Sequence, residues 1–69
     1  MKALITVHRL SPTGGRRVTT RGAILGIAYD DGDLVELARS AGIDDPESLV
    51  GDDRLIEWRG GRPHQYEAA

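Results

Sequence analysis

The chain has 69 residues, no cysteine and only two histidines, His8 and His64, which excludes a disulfide framework, a thiolate zinc centre and a histidine-rich metal site. Its formal net charge is −2, but residues 1–29 hold Lys2, Arg9, Arg16, Arg17 and Arg21 with no acid, while residues 30–57 hold ten acids against Arg39 and Arg54. One domain spanning 1–69 is expected, and a chain this short buries only about 60% of its unfolded surface, so self-association is one route to extra stability.

Residues 3–10 alternate Ala3, Ile5 and Val7 with Leu4, Thr6 and His8, and read as a strand. Ser11-Pro12-Thr13-Gly14-Gly15 is turn chemistry, and Arg16 to Thr20 resumes as a second strand, giving a hairpin with an exposed basic tip. Ile24-Leu25-Gly26-Ile27-Ala28-Tyr29 reads as a third strand, with Gly26 marking a bulge or a close backbone approach; the alternative is one long strand bent at Gly22.

Asp33 is read as the N-cap of a helix, with Glu36 three residues on and Leu34, Leu37, Ala38 and Ala41 on one apolar face. Gly42 stops it as the C′ residue, and Ile43 packs back on the last turn. Asp45-Pro46 opens a short helical turn over 46–50 that ends at Gly51. Arg54 to Arg59 reads as a strand, Gly60-Gly61 as a hairpin turn, and Arg62 to Glu67 as a last edge strand, pairing Glu57 with His64 and Leu55 with Tyr66.

The expected fold is therefore α+β: a small antiparallel sheet of four or five strands, order ββ(β)-α-ββ, with one main helix packed on one face. One helix with one apolar stripe leaves the other sheet face uncovered. No apolar run is long enough for a membrane span. His8 and Arg9 interrupt the first apolar stretch too early for a signal-peptide core, so a cytoplasmic location is expected. Abundant Arg, Asp and Gly with little Lys fits a GC-rich bacterial source.

No Gly-x-Ser-x-Gly elbow, Walker loop or His-Glu-x-x-His helix is present, and no serine or threonine is marked out as a partner for either histidine, so no catalytic residue is assigned. The acids Asp30, Asp31 and Asp33 do not fit a calcium loop: counting from Asp31, Glu36 falls where glycine is required and Gly42 where a bidentate Glu is required. No metal or cofactor is expected. A small enzyme is a remote alternative.

Arg9, Arg16, Arg17 and Arg21 are candidates for phosphate contact, and Arg59-Gly60-Gly61-Arg62 has the look of an RGG element. Against nucleic acid stand the ten central acids and the lack of interleaved aromatics for base stacking. The element order, with Arg54-Leu55-Ile56 ahead of a turn, also resembles the ubiquitin-type β-grasp, whose modifiers expose a terminal Gly-Gly. Here eight residues follow the pair, and the turn reading is preferred. Trp58 is read as core before binding anchor, because the chain has few rings to fill its interior.

The resulting expectation is a non-enzymatic protein-interaction or regulatory module that self-associates or docks on a protein partner. Arg9, Arg16, Arg17, Arg21, Trp58 and Tyr66 are its candidate contact residues. A nucleic-acid-binding module using the basic N-terminal hairpin is the alternative.

Overall fold

Alternation along the first two strands decides which sheet face is buried. Ile5 and Val7 of β1 (Ile5–Leu10) and Val18 of β2 (Arg16–Thr20) are fully buried, while Thr6, His8, Arg17 and Thr19 between them are not. A computed structural model describes residues 3–67. In it β1, β2 and β3 (Ala23–Ala28) form an antiparallel meander, followed by α1 (Asp31–Ser40), α2 (Pro46–Val50) and β4 (Ile56–Trp58). The third apolar run is thus a strand of its own, and the α+β class holds, as does the element order through the sixth element, β4, which lies within the expected 54–59.

Two features of the sheet differ from expectation. Its order is β3-β2-β1-β4, and β4 lies parallel to β1, with Ile5 opposite Ile56 and Val7 opposite Trp58, so the sheet is mixed. The helices carry the chain across the sheet, and a crossover of that length delivers a parallel strand where a tight hairpin would not. Among the described residues there is also no strand after β4. Gly60 and Gly61 make no hairpin turn, residues 62–67 run as turns and bends, and the expected Glu57–His64 and Leu55–Tyr66 pairs do not form.

Helix α1 begins at Asp31, two residues before Asp33. Asp30 is the N-cap, its carboxylate accepting the Asp33 N–H at 2.7 Å, while the Asp33 carboxylate accepts the Tyr29 N–H at 2.9 Å. The cap therefore lies three residues before the expected Asp33, and the return bond reaches the N–H of Tyr29, the residue before the cap, where a standard box would engage the N–H of the cap itself. The C-terminus is as expected: Gly42 N–H donates to Arg39 O and Ile43 N–H to Ala38 O, the two bonds of a Schellman motif. The turn over 46–50 is helical and ends at Gly51, with Pro46 in its first turn.

Both helices bury their apolar residues against one sheet face. Leu34 and Ala38 of α1 and Leu49 and Val50 of α2 join Ile5, Val7, Val18, Ala28, Ile56 and Tyr66 in a single core. At Gly26 the backbone comes so close to Leu37 that an added Cβ would lie 2.8 Å from its Cδ2, and φ is +152°. The same place carries an extra residue in β3, Leu25, between the Val18–Gly26 and Thr19–Ile24 pairs. Bulge and close approach therefore coincide.

Candidate functional site

The basic residues expected at one hairpin tip are dispersed by the fold. Arg16 is fully buried on the core side, which corrects its reading as an exposed contact. It shares a strand and a face with Val18, and its guanidinium donates four hydrogen bonds to backbone carbonyls. Nε meets His8 O at 2.8 Å, Nη1 meets Arg62 O at 2.8 Å and Gln65 O at 3.1 Å, and Nη2 meets Arg59 O at 2.6 Å. Trp58 lies 5.3 Å from the guanidinium carbon, within cation–π range. Burial pulls the Arg16 pKa below its ordinary value, and the Tyr66 phenol opposes that shift. Arginine remains charged regardless. Three of the four carbonyls belong to residues 59–65, so Arg16 explains why that segment is not a strand.

The aromatics assigned to contact lie in the same region. Tyr66 is buried, its hydroxyl donating to Asp31 at 2.7 Å. Burial first, then that bond and the Asp31 charge, push its pKa well above the usual phenol value. His64 Nδ1 lies 2.9 Å from Asp31, and its ring packs 4.8 Å from the half-buried Trp58, whose Nε1 has no hydrogen-bond partner among the described residues. Beside them opens a cleft of about 600 Å³ lined by Tyr29, Asp30, Arg62, Pro63, His64, Gln65, Tyr66 and Glu67. A carboxylate-held imidazole suits proton transfer, but no serine, threonine or cysteine is among the residues lining this cleft.

The opposite sheet face has a different character. Glu57 is the one acid within the four strands; the other acids sit in helices and loops. The segregation seen along the sequence is therefore also spatial. Register between β1 and β2 shifts by one residue, from Val7–Val18 to Leu10–Arg16, so His8 and Arg9 together oppose Arg17. Such a bulge re-aims side chains that alternation would send to opposite faces. His8, Arg9, Arg17, Arg59 and Gly60 line one cleft of about 330 Å³. His8 Nε2 is 2.8 Å from Thr19 Oγ1, and Glu57 meets Arg59 Nε at 2.7 Å.

Of the basic candidates, then, the fold brings Arg9 and Arg17 together, buries Arg16 and leaves Arg21 in the β2–β3 turn at the other end of the sheet. His8 and Arg59 complete the basic cleft; in the sequence Arg59 stands out only within the Arg59-Gly60-Gly61-Arg62 stretch, and neither residue stands out as a neighbour of Arg9 and Arg17. The sequence pattern hides them because one depends on the β1 bulge and the other on the parallel placement of β4. A further exposed feature is β3, an edge strand on which Ile24 is 67%, Ile27 47% and the following Tyr29 62% exposed. No protein-family model, curated protein or solved structure significantly matches the chain.

Proposed function

We propose that this chain is a non-enzymatic interaction module that self-associates by adding the β3 strand of a second copy to its own. The reading is carried by β3 itself: an edge strand whose outer face bears Ile24 and Ile27, both exposed. Apolar edges template strand addition, and proteins that do not use them commonly place charge or proline there; β3 carries neither, and the bulge at Leu25 is the one blunting feature within it.

The strand is self-complementary. In an antiparallel pair centred between Leu25 and Gly26, Ile24 opposes the second copy's Ile27, and Arg21 comes beside the second copy's Asp30. Ile24 and Ile27 share a face, although three residues apart, because of the extra residue between them. The twofold axis stands perpendicular to the sheet, so the two clefts lined by Arg9 and Arg17 open on the same side of one continuous eight-stranded sheet.

Sedimentation velocity over a concentration series tests this. Wild type is expected to pass from monomer to dimer, and Ile24→Lys to weaken the dimer by about tenfold or more, since one substitution places a charge in the pairing twice. Circular dichroism of the variant checks its fold. A wild type that stays monomeric throughout, or a folded Ile24→Lys that associates equally well, overturns the reading.

A further inference from the structure

We propose that the cleft formed by His8, Arg9, Arg17, Arg59 and Gly60 is a binding site for a phosphate group. Three arginines line it from three adjacent stretches of the sheet: Arg9 from β1, Arg17 from β2 and Arg59 just beyond β4. Guanidinium presents planar, paired donors suited to phosphate oxygens. Glu57 occupies only the Nε of Arg59, and among the described residues no hydrogen bond engages the terminal nitrogens of Arg9, Arg17 or Arg59. Counting three arginines against Glu57 leaves a local charge of +2, which matches a phosphomonoester dianion better than a carboxylate.

The cleft is built by specific backbone features. The bulge in β1 brings His8 and Arg9 to the same side, opposite Arg17. Gly60 closes the floor, and a Cβ there would lie 2.6 Å from the Arg9 Cβ, so a side chain at 60 would displace the Arg9 stem. The Thr19 hydroxyl fixes the His8 ring. At about 330 Å³ the cleft holds a phosphate with several waters, each water taking about 30 Å³.

His8 reports on occupancy. Its pKa lies below the ordinary value, through burial first and then the charges of Arg17 and Arg59, with Glu57 opposing. The groups facing it are Thr19 and Arg17 from β2, Glu57 from β4, Arg59 beyond it, and Arg9 beside it. A bound dianion offsets the arginine charges, so His8 takes its proton at higher pH when phosphate is present.

The site does not depend on the β3 edge, and the test uses the Ile24→Lys chain as well as wild type, so failure of self-association is read separately. Inorganic phosphate is titrated at fixed ionic strength while amide and imidazole resonances are followed by NMR. Saturating shifts centred on Arg9, Arg17 and Gly60 are expected, with His8 titrating at higher pH in phosphate than in chloride. Arg17→Gln, and separately Arg9→Gln, are expected to weaken binding by about tenfold each, with dispersed spectra showing that the fold persists. Shifts that rise linearly without saturating, or folded variants that bind as wild type does, overturn the proposal.

Parallel titrations with phenyl phosphate and a single-stranded oligothymidylate identify the source of the phosphate. Tighter saturation by phenyl phosphate assigns the cleft to a small phosphomonoester; tighter binding per phosphate by the oligonucleotide assigns it to a polynucleotide backbone. Oligonucleotide binding that spreads over Arg21 and the whole sheet, with no saturation by either small phosphate, indicates diffuse attraction and overturns a discrete site.

Discussion

Arg16 and Arg17 are neighbours in the chain, yet they live in opposite environments. The first is fully buried with its guanidinium hydrogen-bonded to four carbonyls; the second is exposed in an open cleft beside two other arginines. The difference follows from the two-residue period of a strand. Arg16 falls on the face of Val18 and must have its charge met by dipoles, because an unsatisfied buried charge is prohibitively costly. Arg17 falls on the other face, where water meets its charge and a ligand can replace that water. One arginine therefore shapes the protein, and the other is available for recognition.

Substituting each in turn gives the largest contrast. Arg16→Met leaves four carbonyls without their donors and releases residues 59–66 from the sheet, with an expected loss of about 3–5 kcal/mol. For a domain of this size such a loss amounts to much of the total stability. Arg17→Met removes no hydrogen bond among the described residues and is expected to change stability by less than about 0.5 kcal/mol. Urea denaturation of the two variants measures both. Equal losses would show that position on the strand does not govern their roles.

Much of this contrast is legible in the sequence. Arg16 and Val18 are two apart in a strand, and strict alternation already places them on one face; the density of arginines around a turn suggested exposure instead. The helix ends were legible because capping and Schellman chemistry are local, as Gly42 and Ile43 show. The parallel position of β4 and the path of residues 60–66 were not. Both are set by contacts between residues more than forty apart, notably Arg16 with Arg59, Arg62 and Gln65. The β1 bulge that brings His8 beside Arg9 has no glycine or proline to announce it. The basic cleft was thus half visible: Arg9 and Arg17 stood out as residues, but not as neighbours of His8 and Arg59.

A second substitution sharpens the comparison from the cleft side. Gly60 has φ +62° and packs against the Arg9 Cβ. Gly60→Ala adds the left-handed backbone penalty of about 1–2 kcal/mol and a steric conflict with Arg9. It should therefore lower stability less than Arg16→Met but, unlike Arg17→Met, measurably, and the amide resonances of Arg9 should move. A neutral Gly60→Ala would mean that the cleft floor is less closely built than its geometry indicates.

A smaller loss than that of Arg16→Met is expected at neutral pH from the anchoring of the segment that Arg16 organises. Tyr66→Phe removes one hydrogen bond to Asp31, worth about 1 kcal/mol. Its clearer signature is alkaline. In the folded protein the Tyr66 pKa is raised by burial and by Asp31, so the folded state keeps a proton that the unfolded chain releases near pH 10. The folded form then binds more protons than the unfolded one, and stability falls as pH rises past about 10, with a limiting slope of about 1.4 kcal/mol per pH unit. Below that pH the contribution is fully present. Denaturation midpoints of wild type should therefore hold from neutral pH to about pH 10 and then drop, while those of Tyr66→Phe lack this component. If both chains lose stability in parallel above pH 10, the phenol is not held by burial and Asp31, and residues 62–66 depend instead on the carbonyl bonds to Arg16, the Gly15–Tyr66 backbone bond and the His64–Asp31 contact.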